Sequence, residues 1–194
     1  MLEISFDPFP ILKTQRLILR APRLSDGPAL FALRSDPEVM RYVDRPQMQT
    51  VHEAEQMLAG MQESIANNEG ITWAITLPGL DELIGFIGYW QIEHEHYRAE
   101  LGYMLHPSYQ KQGYMSEALE AIIPVAFGPF RLHAIQAFVH PNNLPSWELL
   151  ERKGFHREAE MKDRWYFQGA FWDTCMYTLL NPDSPWIRKE ANPR

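Results

Sequence analysis

Residues 98–139 contain the pattern that restricts the fold most: a strand, a polar loop, an amphipathic helix and another strand. The strands are predicted over residues 98–106 and 132–139. The helix begins at about Tyr114 and places apolar side chains at helical spacing as far as Phe127. Two neighbouring strands that are joined through a helix run parallel. The chain is therefore expected to build a sheet that contains a parallel pair.

Strand and helix patterns alternate along the rest of the chain, which indicates a mixed α/β (α+β) domain. Strands at 71–77, 82–93 and 98–106 follow one another through short turns and should be antiparallel. The expected architecture is a mostly antiparallel central sheet of six to seven strands with helices on both faces. The other predicted elements are a strand at 14–21, a helix capped by Ser25 or Asp26, a helix opened by the capping box of Thr50 and Glu53, a short helix capped by Asn142 or Asn143, and a closing hairpin of strands 155–160 and 171–179.

Length and composition fit one folded domain, with 194 residues of which 45% are hydrophobic and 22% charged. We assign the domain to residues 12–180 and treat 1–11 and 181–194 as terminal extensions. The net charge of −7 argues against a general nucleic-acid binder and favours a cationic substrate. The single cysteine, Cys175, excludes an internal disulfide. No stretch suits a membrane span and no secretory signal is seen, so a cytoplasmic protein without a membrane partner is expected.

The loop at residues 110–115, with the sequence QKQGYM, has the features of an anion site. Main-chain N–H groups of such a loop, together with the unpaired N–H groups of a helix start, form a concave surface for anions. Gly113 permits a positive φ and a close approach of the main chain, and Lys111 adds a positive charge. The loop fits a diphosphate, although a plain helix start after a glycine turn would look the same. It matches neither the P-loop nor the Rossmann glycine motif.

A second segment, residues 139–155, follows the strand that should lie parallel to residues 98–106. Ligands of α/β sheets bind beyond the carboxyl ends of parallel strands. Asn143 and Ser146 fall in the first turn of the next helix, close to that edge. The alternative interpretation is an ordinary N-cap asparagine followed by a common first-turn serine.

Three blocks of the sequence resemble the GCN5-related N-acetyltransferase (GNAT) family, and in particular its RimJ/RimL branch. They are TQRLILR at 14–20, the loop region at 99–118, and Asn143-x-x-Ser146 through Lys153-Gly154-Phe155. The resemblance implies acetyl-CoA as co-substrate, without a metal, and a primary amine as acceptor. Ribosomal-protein N-termini are the best-known target of the branch. The resemblance also implies the family fold, in which the parallel strands splay apart to hold the cofactor.

The family motif carries over to particular positions of this chain. The implied cofactor-binding residues are Met104, Leu105, Gln110, Lys111, Gln112, Gly113, Tyr114, Met115, Ser116 and Asn143. Members commonly have glycine at the position of Lys111 and a small residue at that of Met115. A tyrosine often protonates the thiolate in the wider superfamily, but Leu150 stands at its place here. A serine serves in the RimJ/RimL branch, and Ser146 matches it as the general acid.

Acetyl transfer to an amine requires a neutral amine, a polarised thioester carbonyl and a proton for the departing thiolate. Glu100 is the carboxylate nearest the expected reacting centre, and we assign it the role of base, acting through water. The alternative is an ion pair of Glu100 with Arg98 or Arg20 on the sheet. The main-chain N–H groups of Met104 and Leu105 are expected to hold the pantetheine and polarise the carbonyl.

Other functions stay open from the sequence. A small-molecule amine, such as a polyamine or an aminoglycoside, is an alternative acceptor, and a CoA-binding module without activity is an alternative to an enzyme. Residues 93–96 (EHEH) offer two histidines without a third ligand, so a strand end or an acceptor-cleft wall is favoured there over a metal site. Residues 164–167 would form a hairpin tip that covers the acceptor cleft or packs on a second subunit, which leaves a homodimer open.

Overall fold

The structure, a computed structural model, describes residues 2–185. The described residues form eight strands and five α-helices. The strands are β1 (Leu12–Lys13), β2 (Ile18–Arg20), β3 (Ile71–Leu77), β4 (Leu80–Glu93), β5 (Arg98–Leu105), β6 (Ala134–Val139), β7 (His156–Phe167) and β8 (Ala170–Leu180). The helices are α1 (Gly27–Ser35), α2 (Pro37–Met40), α3 (Val51–Ala66), α4 (Tyr114–Phe127) and α5 (Leu144–Arg152).

All the described strands belong to one sheet, in the order β1-β2-β3-β4-β5-β6-β8-β7. Neighbouring strands are antiparallel except β5 and β6, which run parallel, as the crossover through α4 requires. The sheet has eight strands rather than the predicted six to seven, because Leu12–Lys13 forms an additional short strand before the predicted strand at 14–21, of which only β2 (Ile18–Arg20) is a strand. The N–H of Thr14 closes the turn between β1 and β2 by donating to the carbonyl of Leu17 at 3.0 Å.

Helices cover both faces of the sheet, and each face has its own hydrophobic core. α4 and α5 pack over the face that carries Trp73 and Ile75. α1, α2 and α3 pack over the opposite face, which carries Ala74 and Phe86. Successive side chains of β3 therefore enter different cores, as the two-residue period of a strand dictates.

The N-terminal segment contributes to the core, although residues 1–11 are expected from the sequence to form an extension. Leu2 and Phe6 are buried, and the ring of Phe6 meets that of Phe130 edge-on with 5.1 Å between centroids. At the other end, residues 186–194 of the expected extension lie outside the described residues. The limits of the domain stay a prediction.

A buried ion pair joins β2 to the 3-10 turn that precedes α1. The Arg20 guanidinium donates to both carboxylate oxygens of Asp26, at 2.7 Å and 2.9 Å. Both side chains are almost fully buried, and the hydrogen bond to Asp26 raises the pKa of Arg20. Arg20 also contacts Asp81 at 3.1 Å, but the Asp81 side chain is 71% exposed.

We expect Asp26→Ala to lower the free energy of unfolding by about 3–5 kcal/mol, because it removes the buried partner of a buried charge. The control is Asp81→Ala, which removes an exposed partner of the same Arg20 and should cost much less, because solvent screens an exposed pair. Urea unfolding followed by circular dichroism measures both values. Equal losses in the two variants would show that the buried pair has no special weight.

Candidate active site

The parallel strands β5 and β6 separate part of the way along their length. They pair from Arg98 opposite Ala134 to Glu100 opposite Gln136, and no pairing follows. β5 nevertheless continues to Leu105. The main-chain groups that β5 turns toward β6 beyond this point therefore have no strand partner, as the resemblance to the family implies.

The direction of each main-chain group of β5 follows from the first bond past its end. The His106 N–H donates to the carbonyl of Ile84 on β4 at 2.8 Å. Alternation along the strand then turns the main-chain groups of Met104 toward β4 and those of Tyr103 and Leu105 toward the gap. The Met104 N–H, which is expected from the sequence to hold the pantetheine, thus faces β4 rather than the gap, and its contact with the pantetheine stays a prediction. The Leu105 N–H faces the gap, as expected, and so do the main-chain groups of Tyr103.

The loop before α4 forms a surface of unpaired N–H groups. Lys111 and Gly113 adopt left-handed φ values of 59° and 82°, and α4 begins at the next residue. The main-chain N–H groups of residues 111–116 donate to no acceptor within residues 2–185. A left-handed turn followed by a helix N-terminus is an established geometry for binding phosphate.

Arg16, which lies 96 residues earlier in the chain than Gln112, holds this loop in place. Its Nη1 donates to the carbonyl of Gln112 at 2.9 Å, and its Nε donates to Glu117 in the first turn of α4 at 2.7 Å. The guanidinium also lies 4.6 Å from the ring centroid of Tyr114. Arg16 belongs to the TQRLILR block, so the block marks a residue that fixes the loop, a role that sequence analysis missed.

Of the other predicted loop residues, some stabilise the loop through side-chain hydrogen bonds and others are exposed or buried without such bonds. The side-chain amide of Gln110 donates to the carbonyl of Leu105 at 2.9 Å, and that of Gln112 to Ser108 at 2.7 Å. Met115 is buried in the core, Ser116 lies half-buried in the first turn of α4, and Lys111 is exposed. Of these, only Lys111 offers a charge to an anion.

A cleft of about 770 Å³ opens between the sheet and the helices α1 and α3. It brings together four of the predicted site residues: Glu100, Met104, Asn143 and Ser146. Its wall is rich in aromatic side chains, namely Tyr42, Phe86, Trp90, Phe138, Trp165 and Trp172. Trp165 comes from the tip of the β7–β8 hairpin, as the sequence allows.

Glu100 lies half-buried in this cleft without a basic partner. Within the described residues no Lys or Arg nitrogen lies within 4.0 Å of its carboxylate, so the ion pair considered from the sequence does not form. Burial raises the pKa of Glu100, while a hydrogen bond from the Trp90 side chain opposes that rise. A Cβ at position 102 would overlap the Trp90 ring, so Gly102 makes room for this contact.

Ser146 pairs with a residue that sequence analysis missed. The hydroxyls of Tyr103 and Ser146 lie 2.8 Å apart. Burial raises the pKa of Tyr103 to about 12, and the hydrogen bond with Ser146 opposes this rise. The feature that could have identified Tyr103 is its position on β5, past the last residue that pairs with β6. Leu150 is fully buried in the core, so it leaves the polar role on α5 to Ser146.

Two further side chains line the cleft near the start of α5. Asn143 occupies the N-cap position, but its side chain makes no capping bond and stays available to a ligand. The His140 ring stacks on Tyr42 at 5.3 Å and meets Trp172 at 5.1 Å. Burial lowers the pKa of His140, and its Nδ1 accepts the N–H of Asn142 at 3.1 Å. The basic lone pair of His140 is thus engaged, which leaves Glu100 as the better base.

Two other properties bear on the class of protein. Residues 2–185 contain no group of three or more His, Cys, Asp or Glu side chains placed to hold a metal ion. In the segment 93–96, the Nδ1 of His94 contacts the carbonyl of Leu2 at 2.9 Å. Over the same described part of the chain, no helix is long and apolar enough to cross a bilayer.

Comparison with known sequences gives the same class as the site. The family described as "Acetyltransferase (GNAT) domain" matches residues 16–156, which is more than half of the chain. The chain therefore belongs to the GNAT acetyltransferases, and it is an acetyl-CoA-dependent N-acetyltransferase.

Two curated relatives and one solved structure illustrate this similarity. The chain is 34% identical over 174 residues to the uncharacterized N-acetyltransferase YoaA of Bacillus subtilis (strain 168), covering 90% of this chain and 98% of YoaA. It is 33% identical over 107 residues to the ribosomal protein uS5-alanine N-acetyltransferase of Escherichia coli (strain K12), covering 55% of each chain. Among solved structures, the ribosomal L7/L12 alpha-N-protein acetyltransferase RimL in complex with coenzyme A superposes with a TM-score of 0.81 at 25% identity, over 88% of this chain and 98% of that one.

Proposed function

We propose that the chain acetylates the N-terminal amine of a peptide or protein by direct attack in a ternary complex with acetyl-CoA. The observation that carries the proposal is the meeting of Glu100 and Ser146 in the cleft that opens where β5 and β6 part. A carboxylate can take the proton of the attacking amine, and a hydroxyl can serve the departing thiolate. One cleft therefore holds groups for both ends of the transfer.

The donor end of the site fits coenzyme A. Residues 111–116 offer consecutive unpaired N–H groups at a helix start, which suits a diphosphate. The main-chain groups of Tyr103 and the N–H of Leu105 suit the amide-bearing pantetheine arm, which can replace the missing strand partner. When bound, acetyl-CoA supplies an activated thioester carbonyl. Asn143, whose side-chain amide is uncommitted, adds a hydrogen-bonding group near the same edge.

Glu100 prepares the acceptor. An amine attacks only in its neutral form, so a proton must leave it before or during the attack. The raised pKa of Glu100 makes its carboxylate a stronger base than an exposed glutamate. The Trp90 side chain moderates this rise in the pKa of Glu100. Glu100 accepts the proton directly or through one water.

Tyr103 and Ser146 act on the leaving group. With a pKa of about 12, Tyr103 stays protonated at neutral pH and keeps a hydrogen to share. The 2.8 Å contact places that hydrogen within reach of the Ser146 oxygen. The pair can thus pass a proton toward the departing thiolate or stabilise its negative charge.

Three points support a peptide N-terminus as the acceptor. A carboxylate base deprotonates an α-amino group, with an ordinary pKa of about 7.7–8.0, more readily than an alkyl amine of about 10.4. The relatives described above are named for N-acetylation of an alanine of ribosomal protein uS5 and for alpha-N-protein acetylation of ribosomal L7/L12. A cleft of about 770 Å³ has room for the first residues of a peptide.

Thiol release from acetyl-CoA, followed by mass spectrometry of the products, tests this proposal. The acceptor panel contains peptides with free N-termini, the same peptides with blocked N-termini, spermidine and an aminoglycoside. Acetylation of the free peptides alone supports the proposal. Reaction of the small amines alone would replace it with a small-molecule acetyltransferase. Binding of acetyl-CoA without any turnover would indicate a CoA-binding module.

We expect Tyr103→Phe to lower kcat by about fivefold, the rate equivalent of one net hydrogen bond of about 1 kcal/mol. Ser146→Ala should lower kcat by roughly tenfold, with little change in the KM for acetyl-CoA. The double variant should be no slower than Ser146→Ala, because Tyr103 acts through Ser146. Steady-state kinetics on a reactive peptide measure all three. Additive losses would mean that the two hydroxyls act independently.

A further inference from the structure

Most charged side chains on the cleft wall are neutralised by partners within the protein. Such pairs leave little charge for a ligand, since each carboxylate already faces a cation. The paired groups are Asp44 with Arg45 at 2.9 Å, Glu93 with Arg98 at 3.9 Å, and Asp173 with Lys162 at 2.8 Å. Arg164 is exposed on the rim and stacks over the Trp165 ring at 4.8 Å.

Besides Arg164, two charged side chains of the cleft have no ionic partner within residues 2–185, and they have opposite signs. One is Glu100, described above. The other is Arg34 of α1, which makes no hydrogen bond or ion pair within residues 2–185. Its Nε is buried without an acceptor. Burial, reinforced by the nearby charge of Arg45, lowers the pKa of Arg34, and only Asp44 opposes this.

The Arg34 side chain is half-buried, and shielding its Nε from water without an acceptor is costly. A buried charge without a partner destabilises a protein, so such groups are normally paired or bind a ligand. A guanidinium offers a planar fork of N–H groups that matches the two oxygens of a carboxylate. The missing partner of Arg34 is therefore best supplied by an anion that enters the cleft.

The two unpaired charges line the same cleft. Neither contributes to the pKa of the other, so they stand apart within it and do not neutralise each other. A molecule that fills the cleft meets a carboxylate and a guanidinium together. The arrangement is complementary to a molecule with an ammonium and an anionic group.

We propose that Arg34 binds a carboxylate of the acceptor, so that the enzyme selects amines that also carry a carboxylate. This inference rests on the proposed function, because it places the reacting amine at Glu100. In a peptide acceptor, the carboxylate comes from an Asp or Glu side chain next to the N-terminal residue. In a small acceptor, it belongs to the amino acid itself.

Matched acceptors test the inference. The first pair is two peptides that differ only in Asp or Asn at the second position, and the second pair is γ-aminobutyrate and its amide. Wild-type enzyme should favour the Asp peptide by about ten- to hundredfold in kcat/KM. Arg34→Gln should reduce this ratio to less than about twofold by slowing the reaction of the Asp peptide, and Arg34→Lys should retain part of the ratio. Arg164→Gln, the same change at the exposed arginine of the rim, should leave the ratio unchanged.

The outcomes separate this inference from the proposed function. Equal rates on the two peptides would overturn the role of Arg34 and leave N-terminal acetylation standing, and this result needs no variant. If neither peptide reacts but γ-aminobutyrate reacts faster than its amide, the role of Arg34 stands and the peptide acceptor falls. If neither pair shows a preference for the acid, Arg34 does not select a carboxylate.

Discussion

Gly113→Val is expected to weaken the binding of acetyl-CoA by about a hundredfold or more, equivalent to at least roughly 3 kcal/mol. Position 113 has a φ of 82°, which a β-branched residue adopts only under strain. A Cβ there would lie 3.3 Å from Nη2 of Arg16, the side chain that holds the loop. Valine would also occupy the space into which the anion has to come. Isothermal titration with acetyl-CoA measures the loss.

The control for this variant is Gly79→Val. Gly79 has the same φ of 82°, and a Cβ built on it would meet nothing within 4 Å. The backbone strain of the two variants is thus comparable, whereas only Gly113 lies in the loop. We expect Gly79→Val to lose stability and keep its affinity for acetyl-CoA. If both variants bind the donor as wild type does, the donor is held elsewhere.

Glu100→Gln is expected to lower kcat by about 10²–10³-fold, since general-base catalysis contributes about this much. The amide keeps the shape of the side chain and its place beside Trp90, but it cannot accept the amine proton. The control is Glu93→Gln, which alters a carboxylate of the same cleft that is paired with Arg98. That change should alter kcat by less than about twofold. Single-turnover rates at saturating acetyl-CoA distinguish the chemical step from product release.

The pH dependence of Glu100 has a definite sign. Its pKa is raised, so the carboxylate becomes protonated at a higher pH than that of an exposed glutamate. The wild-type rate should therefore fall as pH falls through that raised pKa, because a protonated acid cannot serve as base. Glu100→Gln should lack this acidic limb. A wild-type rate that stays level over the acidic range would show that another group or water removes the proton.

The parts of the site that are local in sequence were predictable. The glycine turn, the start of α4 at Tyr114 and the place of Ser146 in the first turn of α5 follow from residues next to one another. The parallel pair also followed, since a helical crossover fixes strand direction. What these features share is that a short window of sequence contains their physical cause.

Features that depend on strand register or on distant contacts were not predictable. Choosing between the Met104 and Leu105 N–H groups requires the register of β4 against β5, and a shift of one residue exchanges the two. The contact of Arg16 with Gln112 spans 96 residues. Arg34 enters the cleft from a helix that covers the opposite face from α4 and α5. A pattern within one short segment of sequence cannot predict contacts between residues that are far apart along the chain.

The two ends of the active site are built from different parts of the chain. Residues 98–152 supply the loop, the gap and Ser146. The rest of the cleft wall comes from β3 and β4, from the segment between β2 and β3, and from the β7–β8 hairpin. Substitutions in residues 24–66 or in the hairpin can therefore alter which acceptor binds in the cleft. They leave unchanged the residues that bind acetyl-CoA and transfer the acetyl group. A lineage of such enzymes can diversify its targets by drift in those two regions, while the transfer chemistry is inherited intact.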